Sequence, residues 1–273
     1  MYLSTIKFLD KEGKQMKKTT KIISIVLSFV MVMLLCCSCG KATPEERFQK
    51  AIDNAQALKK SDVDVTINAT ITSEGVTMDM PMTMSMKSDA TDENNPVIAM
   101  DMTMSMMGMQ VAMNYYYKDG YAYTSVMGEK VKTAMSYDEM MEENSTGVEN
   151  IFALEEDMLK SAEITENDDG TLSVKMNLDG TDYKDTILSM VDESIADVFG
   201  GGEITLDDSV IEMTIGKDDN VEKISMTVVM KMTVEGVETS VSYAMEFVYN
   251  EIGDDFEVKL PADLDTYEEV VAE

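Results

Sequence analysis

The chain has no histidine, and its cysteines are confined to one short segment. All three cysteines lie at Cys36, Cys37 and Cys39, so no second region exists with which they could form a disulfide framework or a zinc site. Without histidine or a free thiol elsewhere, a nucleophile would lack the base that most often activates it. The sequence therefore predicts a protein that is not an enzyme and that holds neither a metal nor a cofactor.

Basic residues are also scarce. The chain has 22 lysines and arginines against 52 aspartates and glutamates, which gives a formal net charge of −30. Nucleic-acid affinity rests on lysine and arginine neutralising phosphates, so nucleic acid is excluded as a partner. A large net charge keeps a protein soluble and monomeric, and we expect a monomer.

The N-terminal segment has the charge order of a secretory signal. Lys17, Lys18 and Lys21 precede an apolar stretch over residues 22–35, and small residues follow before Cys39. The apolar stretch is shorter than the roughly 20 residues that a membrane-spanning helix needs. We predict a signal peptide over residues 1–38, with Met16 as the true start, and a tether over residues 39–42.

The predicted cleavage site lies just before Cys39. Ser38 and Gly40 flank this cysteine, an arrangement that resembles the lipobox of bacterial lipoproteins, in which the cysteine receives diacylglycerol. Cys36 stands where leucine is usual, so Cys37 remains an alternative. Two acyl chains hold a protein stably on a bilayer. We predict an extracytoplasmic protein anchored through Cys39 to the outer face of the bacterial cell membrane.

Two capping boxes mark the starts of helices. Thr43 can cap a first helix, in which Pro44 suits the first turn and Glu46 completes the box. Ser136 and Glu139 form a second box of the same kind. Further helical patterns cover residues 151–160 and 181–199.

Between the helices, apolar residues alternate with polar ones. This period of two is typical of half-buried antiparallel strands, and it covers residues 63–134, a hairpin over residues 164–178, and residues 210–260, with interruptions. Asp119 and Gly120 form a strong hairpin signal. Pro81 lies on the polar side of its strand and indicates an edge or a bulge. We predict a single α+β domain over residues 43–273, with a strongly curved antiparallel sheet of about eleven strands, an incomplete barrel, packed against a few helices.

This layout resembles a known family. The features are the lipobox at Cys39, the helix from Thr43, the methionine-rich hairpins, the run from Tyr117 to Tyr123, and the closing Val258 to Pro261. The chain is similar in these features to Gram-positive lipoproteins related to the LolA and LppX type of lipoprotein carrier. The resemblance implies an incomplete antiparallel barrel closed by helices, with an apolar cavity that in some relatives holds lipid.

Methionine is the most unusual feature, with 28 in the chain. These side chains could simply fill the core, or they could form a deformable lining for an apolar ligand. Thioethers also favour Cu(I), but no histidine or free cysteine reinforces such a site. The candidate cavity-lining residues occupy apolar positions of the strands: Met80, Met82, Met84, Met102, Met104, Met113, Tyr115, Met230 and Met232.

The predicted function follows from the anchor and the lining. We expect a lipoprotein that binds a lipid or another apolar molecule in a cavity lined by methionine and tyrosine. The alternative is a structural or protein-interaction lipoprotein of the envelope with a packed core.

Three acidic pairs, Asp168 with Asp169, Asp218 with Asp219, and Asp254 with Asp255, are predicted to be turn residues rather than calcium ligands.

Overall fold

The computed structural model describes residues 42–106, 108–143, 161–184, 188, 204–234, 237–253 and 256–270. The predicted signal peptide and the predicted helix over residues 151–160 lie outside these residues. Of the predicted helix over residues 181–199, the described part includes Lys184 and Leu188, both of which are helical.

Two α-helices lie within the described residues. Helix α1 spans Pro44–Gln56 and begins where the proline predicts, because its fixed φ suits the first helical position. Helix α2 spans Tyr137–Glu143 and begins at the second capping box. The Glu139 amide donates to the Ser136 hydroxyl at 3.2 Å, and the Glu139 carboxylate accepts from the Ser136 amide at 2.8 Å. This capping box is therefore confirmed.

Thirteen strands form one sheet. Their bounds are β1 Lys60–Ser73, β2 Val76–Asp89, β3 Val97–Met106, β4 Met109–Lys118, β5 Tyr121–Val126, β6 Glu129–Ala134, β7 Glu163–Glu166, β8 Leu172–Leu178, β9 Ile204–Leu206, β10 Ser209–Ile215, β11 Val221–Val234, β12 Val237–Ile252 and β13 Glu268–Val270.

The strand order shows that the sheet is not closed. It runs from β13 through β6, β5, β4, β3, β2, β1, β12, β11, β10 and β8 to β7, and β9 pairs with β11 beyond the end of β10. Neighbours are antiparallel except β13, which runs parallel to β6. The predicted curved, mainly antiparallel sheet is confirmed, but it has thirteen described strands rather than about eleven.

The turns between strands lie at two opposite ends of the sheet. The β1–β2, β3–β4 and β5–β6 turns lie at one end, which we call the tip end. The β4–β5 turn and the β7–β8 and β10–β11 turns lie at the opposite end, which we call the far end. The hairpin turn predicted at Asp119 and Gly120 is confirmed, since both residues have the positive φ of a type I′ turn, +52° and +78°.

Pro81 marks the edge that its position predicts. Strand β2 pairs with β1 along its whole length, but its pairing with β3 begins only at Met82. The segment before Met82 therefore has no strand on its β3 side among the described residues. A proline, which lacks an amide donor, is tolerated at such an edge.

The main core lies between α1 and strands β1, β8, β10, β11 and β12. Phe48, Ala51 and Ile52 of α1 are buried in it, together with strand residues such as Met176 and Ile211. Burying side chains of this size contributes roughly 1.5 to 3 kcal/mol each. This half of the sheet is therefore the part with a closely packed interior.

The C-terminal segment crosses the polar face of the sheet. Residues 256–260, which the alternation predicts as a strand, form no strand in the structure. Phe256 instead lies 5.1 Å from the Lys60 ammonium, and the Tyr267 ring contacts Tyr123 edge-on at 5.5 Å. The predicted strand is wrong because these aromatic contacts hold the segment across the sheet rather than beside it.

Candidate functional site

The strand register brings the nine predicted lining residues to one face of the sheet. Met82 lies between Ile67 of β1 and Met104 of β3. In the next row, Met84 lies between Val65 and Met102, and Met102 in turn faces Met113 of β4. On the other side of β1, the same face carries Met230 and Met232 of β11. We call this surface the apolar face.

Three of the nine residues are closely packed. Met230 has no exposed surface, Met232 is 2% exposed and Met84 is 7% exposed. All three belong to the main core with α1. Their thioethers therefore contribute to packing, and any ligand contact by them would require the core to open.

The remaining methionines are only partly buried. Met80, Met82, Met104 and Met113 retain exposed surface and lie outside both hydrophobic clusters of the described residues. Met102 is also partly exposed but packs against the main core. We call these five residues, Met80, Met82, Met102, Met104 and Met113, the methionine field.

A second, smaller cluster closes the far end of the apolar face beside β3 and β4. Ile98, Tyr117 and Met140 of α2 are buried together, with Tyr115 packed against them. The Tyr117 hydroxyl donates to the Met135 carbonyl at 3.2 Å. Burial raises the pKa of Tyr117, so its hydroxyl stays protonated and keeps this hydrogen bond at neutral pH. The methionine field thus lies between two packed clusters.

Exposure along β2 increases toward the tip end. Met84 is buried, Met82, Met80 and Met78 are partly exposed, and Val76 at the end of the strand is 72% exposed. All five side chains alternate onto the apolar face. The apolar face therefore opens at the hairpin tips and not at the far end of these strands.

The opposite face of the sheet is polar and carries grooves, two of which lie away from the hairpin tips. One groove, of about 720 Å³, is lined by residues such as Thr66, Lys175, Glu212 and Glu246. Lysine and carboxylate side chains pair across this face, as in the 2.5 Å contact of Lys223 with Glu246. Neither this groove nor the second one contains any of the nine predicted residues.

The second groove lies under the C-terminal segment. It has a volume of about 600 Å³ and is lined by Lys87, Asp101 and Tyr116 of the sheet and by Phe256 and Lys259 of the segment. Burial, with the nearby Asp101 carboxylate, raises the pKa of Tyr116 to about 12. Sequence analysis missed these residues because outward positions of a strand carry no signal for a segment that crosses them from elsewhere.

Two of the three acidic pairs lie in turns, as predicted. The Asp169 carboxylate accepts from the Thr171 amide at 3.0 Å, and Asp218 accepts from the side chain of Asn220 at 2.8 Å. Asp254 and Asp255 lie outside the described residues. Within the part of the chain that the structure describes, no group of three or more acidic, cysteine or histidine side chains could hold a metal ion. No helix among those residues is long and apolar enough to cross a membrane.

The fold defines the class of protein: a large, curved, unclosed antiparallel sheet with few helices and one apolar face. The chain belongs to the family of unknown function DUF6612, whose model matches residues 43–266. No curated protein matches the sequence.

Several solved structures are similar to this chain. LprF from Mycobacterium bovis is 14% identical with a TM-score of 0.41, over 82% of this chain and 100% of that chain. A DUF1329 family protein from Desulfovibrio piger is 8% identical with a TM-score of 0.26, over 78% and 93%. A putative outer membrane lipoprotein-sorting protein domain from Vibrio parahaemolyticus is 9% identical with a TM-score of 0.18, over 82% and 98%. The last of these structures is a putative lipoprotein-sorting domain, which is the kind of protein that the sequence resembles.

Proposed function

We propose that this protein is a membrane-anchored extracytoplasmic lipoprotein that binds a lipid or another apolar ligand on its methionine field and catalyses no reaction. The observation that carries the proposal is the graded exposure of the apolar face. Between two packed clusters, a row of flexible apolar side chains remains partly open to solvent and continues to the hairpin tips.

An apolar ligand would gain free energy by covering this surface. Full burial of a methionine side chain is worth roughly 1.5 to 3 kcal/mol, so covering the roughly one third or less that is still exposed recovers at most about 1 kcal/mol. Met82 lies opposite Met104, and Met113 lies diagonally beside Met104, opposite Met102, so the three would act on one ligand together. Their combined contribution suits reversible binding at micromolar concentrations, where ΔG is about −8 kcal/mol, once the ligand's own burial is added.

The residue type also supports binding of a variable ligand. Methionine is unbranched and repacks around guests of different shapes, whereas leucine and isoleucine have fewer arrangements. Neighbouring β1 has Val65 and Ile67 in the same rows, so β-branched residues can fill the apolar positions of these strands. Methionine at the adjacent positions therefore supplies adaptability that the strand alone does not require.

The alternative function is that of a structural or interaction lipoprotein with a packed core. The complete burial of Met176 and Met230 favours this alternative for the half of the sheet under α1, because there methionine only fills the interior. It does not account for the methionine field. Cu(I) binding through thioethers alone is the weaker third hypothesis, since soft-metal sites usually include cysteine or histidine.

The mature chain carrying Cys39→Ser, which removes the predicted lipidation, allows a direct test. Native mass spectrometry followed by organic extraction should detect a bound apolar molecule, and the emptied protein should bind N-phenylnaphthylamine with increased fluorescence. The triple change of Met82, Met104 and Met113 to glutamine should weaken that binding by about tenfold or more, because polar amides replace the apolar contacts.

The same three positions changed to leucine provide the matched control. Leucine keeps the apolar surface, so probe binding should persist while the range of accepted ligands narrows. Circular dichroism and thermal melts would show that both variants are folded. If the protein carries no ligand, and if probe fluorescence is the same for the glutamine variant and the original, the binding proposal is wrong. The packed-core alternative then stands.

A further inference from the structure

The tip end carries exposed apolar side chains that continue the apolar face. Val76 is 72% exposed, Met109 is 63% exposed and Met127 is 83% exposed. Val76 and Met109 end the apolar rows of β2 and β4, and Met127 lies in the β5–β6 turn. A ligand that enters the methionine field from the tip end passes Val76 and Met109. Met127 follows Val126, which lies opposite Met113, so it borders the methionine field from the side.

Local turn chemistry does not explain Met127. Its φ is +52° and that of Gly128 is +91°, which is the type I′ geometry that favours Asn, Asp or Gly at the first position. The β4–β5 turn at the far end has the same geometry and carries the favoured aspartate, Asp119. A long apolar side chain at a strained, exposed position indicates a contact outside the fold.

The charges around the tips are negative. Glu74, Glu129 and Glu238 are exposed, and none has an ion pair or hydrogen bond among the described residues. The lysines at this end are engaged: Lys130 contacts Asp263 at 2.5 Å, and Lys231 contacts Asp207 at 2.7 Å. An anionic head group would be repelled here, and a cationic one would be attracted.

We infer that the ligand of the methionine field is a basic amphipathic peptide, whose apolar side chains enter at the hairpin tips and whose cationic side chains face the carboxylates around them. This inference rests on the proposed function and names the ligand class for the same site. Strands β2 and β4 are two strand spacings apart, about 10 Å. Apolar residues seven apart on a helix recur at a similar distance of about 10.5 Å.

Two other partners fit the tip end less well. A second copy of the chain would bring the carboxylates of Glu74, Glu129 and Glu238 against their own equivalents. A bilayer that carries anionic head groups is disfavoured because the same three carboxylates would repel it.

Fluorescence anisotropy with the mature Cys39→Ser chain tests the inference. The probes are a labelled 18-residue amphipathic peptide of leucine and lysine, and the same peptide with glutamate in place of lysine. The lysine peptide should bind at least about tenfold more tightly, and the difference should shrink at 0.5 M salt as the charges are screened. Met127→Asn should keep the turn, as judged by the melting temperature, and weaken binding of the lysine peptide by roughly threefold to tenfold.

Matched charge variants separate a local effect from net charge. Changing Glu74, Glu129 and Glu238 to glutamine should reduce binding of the lysine peptide by about tenfold. Changing Glu45, Asp138 and Asp168 to their amides removes the same number of charges away from the tip end, and it should reduce binding much less.

The outcomes distinguish this inference from the proposed function. Suppose that N-phenylnaphthylamine binds and that its binding depends on Met82 and Met104. If the two peptides then bind equally, or if the two charge variants reduce binding of the lysine peptide to the same extent, the ligand class is wrong and the apolar site stands. Binding to phosphatidylglycerol vesicles in preference to the lysine peptide, or self-association through the tips, would also overturn it. If neither the neutral probe nor either peptide binds, both proposals fail.

Discussion

Replacing Arg47 with alanine should release helix α1 from the sheet. The guanidinium of Arg47 joins the helix to two turns at the far end: Nε donates to the Asp219 carboxylate at 2.6 Å, Nη1 to the Gly170 carbonyl at 3.1 Å, and Nη2 to the Gly216 carbonyl at 2.9 Å. The side chains of Arg47 and Asp219 are only 12% and 13% exposed. The substitution therefore leaves two carbonyls without the Arg47 donor, and it leaves the nearly buried carboxylate with Lys50 as its one remaining cationic partner among the described residues.

The expected loss is large. Removing one partner of a buried ion pair costs about 3 to 5 kcal/mol, out of the roughly 5 to 15 kcal/mol that holds a domain folded. For a domain of this size, that corresponds to a fall in melting temperature of roughly 10 °C. Lys50 contacts the same carboxylate at 2.9 Å but is 60% exposed, so Lys50→Ala should cost only about 0 to 1 kcal/mol. This variant is the matched control.

The effect should depend on pH. Burial raises the pKa of Asp219, but hydrogen bonds from Arg47 and Lys50 outweigh burial and hold that pKa below its usual value. A depressed pKa in the folded state gives stability that is present above the unfolded pKa, near 4, and is lost as pH falls through the folded pKa. The difference between the original and Arg47→Ala should thus be full at pH 7 and shrink below about pH 4.

Urea unfolding at pH 7 and pH 3 measures both effects, and binding of a fluorescent apolar dye reports exposure of the core surface under α1. Equal stability losses for Arg47→Ala and Lys50→Ala at pH 7 would refute the reasoning, because the structure assigns the buried contacts to Arg47 alone. A difference that is independent of pH would show that Asp219 is not the main partner.

Three further predictions use other parts of the chain. Cys39→Ser should abolish incorporation of radiolabelled palmitate, and label that persists would identify Cys37 as the anchor. Under mild peroxide, the partly exposed Met82 should oxidise before the buried Met230, and the melting temperature should fall only when Met230 reacts; peptide mapping that finds equal rates would contradict the burial of the core. Ser136→Ala should cost about 1 kcal/mol locally, seen as faster hydrogen exchange at the Glu139 amide, and unchanged exchange would show that the capping box contributes nothing.

Much of the sheet could be predicted because its signals are local. The alternation in β1 and β2 defines both the strands and the side that each residue faces, since side chains of a strand alternate strictly between the two faces. Turns such as that at Asp119 and Gly120 can be predicted because their residue types accept positive φ. The capping box at Ser136 and Glu139 likewise needs only residues three apart.

The remainder depends on contacts between distant residues. Arg47 and Asp219 are 172 positions apart, and nothing near either residue indicates the pairing. Residues 256–260 alternate as a strand would, yet they cross the sheet because Phe256 finds a cation–π partner in Lys60. Strand β13 is three residues long and fully exposed, so it carries no apolar pattern at all.

The methionines show why residue type and strand position do not separate core from binding surface. Met230 and Met82 share a residue type and a face of the sheet, but Met230 is fully buried in the main core, whereas Met82 lies in the β2–β4 half, outside that core. Leaving up to about a third of an apolar side chain exposed forgoes up to about 1 kcal/mol that a packed site would contribute. The half of the sheet that contains the main core supplies most of the buried apolar contacts. The β2–β4 half can therefore leave apolar side chains partly exposed while the domain stays folded. Threonine or serine at Met82 and Met104 would suit a solvated strand at least as well. The apolar side chains at these positions are the surface that the proposed ligand would cover.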